Sequence, residues 1–346
     1  MLIFHPHLWV KSQKKVLFCD YPQAMDESYA WQREEILRAY PDADVRVVSY
    51  ASPQQLRAEL AKADALVTAF LPLTREVLAA APRLRIVSVH ATGYGNVNVD
   101  AARDLGIAVT HVADYCTEEV AEHTMALMLA LARHLKAYDH HVNEGFSWQF
   151  ESEKGLHRLC GRHLMLFGWG RISRRVAQFA QAFGMEVGVV SHHLTEEAAM
   201  AAGVRSVTKE EAFAEGEILS NHMAEARENY HFFRREAFDA MKRTPIFLNV
   251  GRGSAVDEAA LVEALDAGKI AGAGLDVLQT ENPDLAHSPL IGRSNVILTP
   301  HAAFYSEESH QELAARAVQN ILDFFAGKPV KNLAAKKETA VEGGAA

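Results

Sequence analysis

Short β-branched runs recur along this chain, and helix-forming stretches separate them. The runs "KVLFCD" (15–20), "DVRVVSY" (44–50), "DALVTAF" (64–70), "LRIVSVHA" (84–91) and "GIAVTHV" (106–112) read as strands. Between them, "AWQREEILRAY", "SPQQLRAELAKA", "TREVLAAAP" and "NVDAARDLG" read as amphipathic helices. Strand and helix in alternation build βαβ units, hence a parallel sheet with helices on both faces. A second α/β block starts at "RHLMLFG" (162–168). The helix "RISRRVAQFAQAFG" (171–184), closed by Gly184, follows, then strands at 185–191, 217–223, 244–251, 270–277 and 295–301, and a last long helix at 306–327. Residues 117–138, free of Gly and Pro, are predicted to form one continuous helix between the blocks. Thr117 suits its N-cap, and Glu118 and Glu119 suit the positive helix end. Its apolar residues cover more than one stripe, which predicts burial on several sides.

The chain has 346 residues, long enough that two domains are expected. A net charge of −9 without a long Lys/Arg run excludes a non-specific nucleic-acid binder, but not a small anionic substrate. Cys19, Cys116 and Cys160 are too scattered for a disulfide framework or a zinc site, so no metal is expected. The N-terminus shows no signal-peptide core, and no stretch approaches the roughly 18 apolar residues of a membrane span. These features lead to the expectation of a soluble cytoplasmic protein without a membrane partner. Residues 336–346 are expected to form a loose tail.

The stretch "LFGWGRIS" (166–173) joins a strand to a helix, the setting that gives a G-x-G turn meaning. Gly168 permits the tight turn, and Gly170 lets a pyrophosphate approach the backbone. The helix start at Arg171 and Ile172 offers free N–H groups and a positive dipole end, with Trp169 between the glycines. Ser173 takes the place of a third glycine. An acidic residue is expected roughly 20 positions on, to hold the adenosine ribose. The next strand instead ends in Ser191, His192 and His193. Without the carboxylate a 2′-phosphate is not repelled, and these side chains could donate to it. NAD and NADP both stay open, with Ser191 favouring NADP.

Arg252, Glu281 and His301 each lie just past a strand in the second half. Ligands of open α/β sheets bind at the carboxyl ends of strands. The motifs that carry these residues are "NVGRGSAVDEAALVEAL", "GAGLDV…TENP" and "LTPHAAFYSEES"; "HATGYGNVNVDAARDLGIAVTHVADYCTEEVAEHTMALMLALAR" precedes them. Together they resemble the D-isomer-specific 2-hydroxyacid dehydrogenases, from about residue 60 to about residue 330. The wording of "DYCTEEVA" and "HAAFYSEE" is most similar to the branch that includes the C-terminal-binding-protein corepressors.

The resemblance implies two doubly wound α/β domains: a Rossmann-type NAD(P) domain (131–301) inserted in a flavodoxin-like substrate domain (1–130 and 302–335), with the cofactor in the cleft between them. It implies a homodimer, with 143–150 in or near the dimer arm, and 117–138 as the interdomain helix. It implies hydride transfer between nicotinamide and C2 of a small 2-keto or 2-hydroxy acid of the D series, with glyoxylate- and hydroxypyruvate-type substrates. His301 would be the acid/base and Glu281 the carboxylate that orients it and favours its protonated form. Arg252 would bind the substrate carboxylate. Thr92 and Gly93 would add backbone N–H groups, Asp276 would position the nicotinamide carboxamide, and Phe304 would lie near the substrate side chain. The chain departs from the family pattern at Ser173, Ser191 and Gly251, and at Ala224 to Arg227, which replace a Pro-Leu-Thr-Pro stretch beside the cofactor. A second reading, by analogy with the corepressors, is a dinucleotide-dependent binding protein with little turnover.

Overall fold

The computed structural model describes residues 13–25 and 28–334. The tail expected at 336–346 and most of the N-terminal stretch lie outside them. The chain forms two compact units: one runs to Tyr115 and resumes at Ser306, the other is Cys116–Tyr305.

The first unit opens with β1 (Lys15–Asp20), α1 (Ser28–Ala39), β2 (Asp44–Ser49) and α2 (Pro53–Leu60). It continues with β3 (Ala65–Thr68), α3 (Arg75–Ala79), β4 (Ile86–Val89), α4 (Val99–Asp104) and β5 (Ala108–Thr110). Ser52, Thr74 and Asn98 cap the second, third and fourth helices by accepting a first-turn N–H. Such caps are worth about 1 kcal/mol each. The strands are parallel in the order β2-β1-β3-β4-β5, the flavodoxin-like arrangement. Both faces are buried. Val16, Phe18 and Val67 point into one cluster, while Leu17, Leu66 and Val87 point into the other. Two apolar faces explain why these strands read as nearly unbroken hydrophobic runs.

The second unit opens with α5 (Thr117–Ala132), α6 (Leu135–Asn143), β6 (His163–Phe167), α7 (Arg171–Ala182) and β7 (Glu186–Val190). Next come α8 (Glu196–Ala201), β8 (Arg205–Ser206), α9 (Lys209–Glu215), β9 (Ile218–Asn221) and α10 (Arg235–Ala240). It ends with β10 (Ile246–Asn249), α11 (Glu258–Asp266), β11 (Gly272–Leu275) and β12 (Val296–Leu298). The chain then returns to the first unit through α12 (Glu307–Phe325), where Ser88 Oγ donates to the Ala317 carbonyl at 2.9 Å. The seven strands are parallel in the order β12-β11-β10-β9-β6-β7-β8. Counted from β6 this is the doubly wound dinucleotide-fold order with one added strand. The order reverses at β6, so the turn after β6 sits at the switch point.

Two expectations change. The helix expected over 117–138 is broken: α5 stops at Ala132, and α6 starts at Leu135 after His134 adopts φ 52°. A left-handed residue costs roughly 1–2 kcal/mol, and the contact between His134 Nδ1 and Glu153 Oε2 at 2.7 Å offsets it. Thr117 is the first helical residue, and Cys116 occupies the cap position without a side-chain bond. The two-residue strand β8 has too few residues to show a pattern. The second compact unit begins at Cys116, so α5 belongs to it. The reason is that α5 buries Val120, Met125, Leu127 and Leu131 within the second unit, against β10, β11 and α7.

Candidate active site

The turn after β6 is built on Gly168, held at φ 96°. A Cβ there would lie 3.1 Å from the His222 carbonyl oxygen, so both the dihedral and the space call for glycine. His222 Nε2 bonds to Ser220 Oγ at 2.8 Å, and burial pushes its imidazole down to about 3. The ring beside the turn is therefore neutral at physiological pH. Gly170 caps α7 without any side-chain bond, and nothing lies within 4 Å of where its Cβ would be. First-turn N–H groups at an open helix start fit an anion such as a pyrophosphate. Arg174 lies over the Trp169 ring at 5.6 Å and fixes it at the edge of the turn. Ser173 is fully buried, and its hydroxyl has no hydrogen-bond partner among the described residues.

Ser191 follows β7 directly, and its Oγ accepts the N–H of His193 at 3.2 Å. His192 and His193 are exposed beside it. Ala224 to Arg227 lead into a 3-10 turn, tied by Asn229 Nδ2 donating to the Ala224 carbonyl at 2.8 Å. The loop that lacks the usual prolines thus has its own closure.

Arg252, Glu281 and His301 follow β10, β11 and β12, at the carboxyl edge of one sheet. His301 Nδ1 lies 2.9 Å from Glu281 Oε2 and 3.1 Å from Oε1. With Nδ1–H directed to the carboxylate, Nε2 is the nitrogen left for chemistry. The hydrogen bond from His301, and then the charges of His301 and Arg252, hold the Glu281 carboxyl below its ordinary value against desolvation. Arg252 is thus close enough for its charge to act on the pair. The Phe304 ring stands edge-on to the His301 imidazole, 6.2 Å between centroids. Thr92 and Gly93 belong to the first unit, on the loop after β4, where Thr92 Oγ1 donates to the Val112 carbonyl at 2.9 Å.

A lowered carboxyl pKa has a signed consequence. The pair's contribution is present above the ordinary value of 4.5 and is lost only as pH falls through the lower folded value. A carbon-13 titration of Glu281 is expected to give a midpoint below 4.5. A midpoint at or above the ordinary value would mean that the pair does not form in solution.

Asp276 is 2% exposed, and its carboxylate is largely spent on the backbone of the His301 turn. Oδ1 accepts Ala302 N–H at 2.9 Å and Oδ2 accepts Ala303 N–H at 3.1 Å. Thr299 Oγ1 donates to Oδ1 at 2.6 Å, and His123 Nε2 lies 2.9 Å from that hydroxyl. His301 itself sits at φ 51°, its N–H donating to the Asp276 carbonyl at 2.8 Å. Asp276 therefore fixes the turn that presents the histidine. Sequence reasoning missed His123 and Thr299; the only signal was a histidine on an otherwise apolar helix face. It also missed Asn221 and Asn249, at most 1% exposed, which join the loops after β9 and β10. Asn221 Nδ2 donates to Asn249 Oδ1 at 2.9 Å, and Asn249 Nδ2 donates to the Arg252 carbonyl at 3.1 Å. Among the described residues no metal-binding cluster occurs, and no helix is long and apolar enough to cross a membrane.

Residues 125–303 match the family model described as D-isomer specific 2-hydroxyacid dehydrogenase, NAD binding domain. The chain is 37% identical over 308 residues to a glyoxylate reductase of Aeropyrum pernix, covering 86% of this chain and 91% of that one. A solved structure titled D-lactate dehydrogenase from Aquifex aeolicus complexed with NAD and lactic acid superposes with a TM-score of 0.79 at 28% identity, covering 90% of this chain and 96% of that one. An acyclic imino acid reductase, solved in complex with NADPH and D-Arg, superposes with a TM-score of 0.81 at 25% identity, covering 93% and 100%.

Proposed function

The chain belongs to the D-isomer specific 2-hydroxyacid dehydrogenase family, and from that premise we propose that it reduces a small 2-keto acid of the glyoxylate or hydroxypyruvate type to the D-2-hydroxy acid. The observation that carries this is the His301–Glu281 pair at 2.9 Å with the Arg252 charge acting on it. His301 Nε2 gives a proton to the keto oxygen, or takes it back in the oxidative direction. Glu281 holds the ring in the tautomer that leaves Nε2 outward, and its charge stabilises the protonated imidazole. The planar fork of Arg252 binds the substrate carboxylate, with Thr92 and Gly93 assigned to the same group by the resemblance. Phe304 bounds the substrate side-chain region. A bound nicotinamide dinucleotide supplies or accepts the hydride, and Gly168, Trp169, Gly170, Arg171 and Ile172 would hold its pyrophosphate. Asp276 keeps the His301 turn in place. The relatives named above are reductases and a dehydrogenase, so the corepressor-like reading is not favoured. The test is turnover with glyoxylate, hydroxypyruvate and pyruvate, followed by nicotinamide absorbance with each dinucleotide. No turnover on a broad keto-acid panel with either one would overturn the assignment.

The dinucleotide is NADP in this reading, supported by Ser191, His192 and His193 in place of an acidic end to β7. Ser191→Asp is expected to raise the NADPH dissociation constant about tenfold or more relative to NADH, by placing a carboxylate against the 2′-phosphate. An unchanged ratio in paired fluorescence titrations would mean that the 2′-position is read elsewhere.

A homodimer is part of the same proposal. Phe146, Trp148 and Phe150 are 91%, 88% and 82% exposed, an apolar cluster on the arm expected to pair. Trp148→Ala is expected to shift sedimentation toward the monomer. A monomeric wild type at micromolar concentration would refute the assignment. A reducing, cytoplasmic setting also belongs to this reading, since none of Cys19, Cys116 and Cys160 is in a disulfide.

A further inference from the structure

We propose that His123 is a positioning residue for the reaction. From α5 it orients the Thr299 hydroxyl, and through Thr299 and Asp276 it holds the turn that presents His301. The proposal rests on the keto-acid reductase reading given above. His301 sits in the left-handed region, at φ 51°, which a non-glycine residue keeps only where its surroundings impose it. Its N–H is shared between the Asp276 carbonyl at 2.8 Å and the Thr299 carbonyl at 3.0 Å. The next two N–H groups, of Ala302 and Ala303, go to the Asp276 carboxylate. One buried carboxylate thus receives most of the donors of the turn.

The proton inventory sets how the chain of bonds runs. A threonine hydroxyl has one proton to give. Thr299 Oγ1 gives it to Asp276 Oδ1 at 2.6 Å, so toward His123 the same oxygen can only accept. Nε2 of His123, 2.9 Å away, therefore carries a proton, in the neutral ring as in the charged one. The chain runs from His123 Nε2–H to Thr299 Oγ1–H to Asp276 Oδ1, with both donors pointed toward the carboxylate. Bonds linked in this way polarise one another and strengthen. His123 Nε2 also stands 3.6 Å from Oδ1, so its N–H dipole faces the same oxygen.

The helix supplies what the loops cannot. Asp276, Thr299 and His301 all belong to the ends of β11 and β12, so bonds among them let the two loops shift together. α5 packs against β10, β11 and β12, and the imidazole ties the turn to that helix. Without the imidazole, Thr299 loses the donor that fixes its hydroxyl, and the His301 turn loses this tether. Proton transfer depends on where Nε2 of His301 stands, so the effect falls on the chemical step.

Steady-state keto-acid kinetics on the full chain test this, with His123→Leu, His123→Gln, Thr299→Val and the double variant of His123→Leu with Thr299→Val. Gln places an amide N–H where the imidazole Nε2–H stood. In His123→Leu, kcat is expected to fall about tenfold, with KM for the keto acid within about twofold of wild type because Arg252 stands on another loop. His123→Gln should recover most of that loss. The double variant should lose no more than His123→Leu alone, since both changes break one chain. Melting curves report folding separately. A folded His123→Leu with wild-type kcat overturns the proposal. So does an equal loss in the Leu and Gln variants, or a loss in the double variant equal to the product of the two single losses. Nitrogen-15 spectroscopy of the wild type reads the bond without any substitution: Nε2 of His123 is expected to carry a proton, and a bare Nε2 overturns the chain. No turnover by the wild type on any keto acid fails the reductase reading, and this proposal with it; turnover that His123→Leu leaves unmoved fails this proposal alone.

Discussion

His301→Ala is expected to lower kcat for keto-acid reduction by about 10²–10⁴-fold while leaving dinucleotide affinity unchanged. The range follows from what a positioned proton donor contributes, roughly 3–5 kcal/mol of barrier. Nothing else in the described site can replace it. Arg252 stays charged and gives up no proton at physiological pH, and an ionised carboxylate such as Glu281 only accepts. The backbone supplies a control. His301 sits at φ 51°, where alanine is disfavoured and asparagine is tolerated. His301→Asn therefore keeps the turn while removing the proton donor. Both variants should lose turnover, and only the alanine should also lose thermal stability. Steady-state kinetics and a melting curve decide the matter: wild-type kcat in His301→Asn would remove the imidazole from the reaction.

Much of the fold was readable because each element announces itself locally. A buried parallel strand such as β6 or β10 is an unbroken apolar run, and the helices after β2, β3 and β4 open on Ser52, Thr74 and Asn98. Glu281 and His301 were legible only as separate residues past separate strands, and the 2.9 Å contact between them appears when β11 and β12 pair. What stayed hidden depends on distant partners. The stop at His134 has no Gly or Pro to mark it, and its stabilising carboxylate lies 19 residues on. The His123–Thr299 contact spans 176 residues, and the Asn221–Asn249 bond spans 28. A histidine and two asparagines carry no periodic signal, so their roles emerge only once a helix and four strands have assembled around them. The placement of α5 is hidden for a related reason: the helix is apolar on several sides, and its sequence does not state which sheet it will cover.

Gly253→Ala is expected to lower kcat/KM by about 10²-fold and to destabilise the second unit by about 1–3 kcal/mol, although the residue performs no chemistry. A Cβ at this position would lie 1.7 Å from the Leu278 carbonyl oxygen, 2.1 Å from its carbon and 2.8 Å from Gln279 N. All three are backbone atoms, so no rotamer change relieves the overlap. The loop after β10 must retreat from the loop after β11, and those loops carry Arg252 and Glu281. Restoring normal contact takes a shift of more than an ångström, the scale on which misplacement of a positioned group costs about two orders of magnitude. The loss should fall on KM as well as kcat, because Arg252 is the group assigned to hold the substrate carboxylate. Dinucleotide affinity should hold, since Gly168 and Gly170 sit on a different strand end. Unchanged kinetics and melting temperature would show that the two loops separate freely, and that the Arg252–Glu281–His301 arrangement does not depend on their close approach.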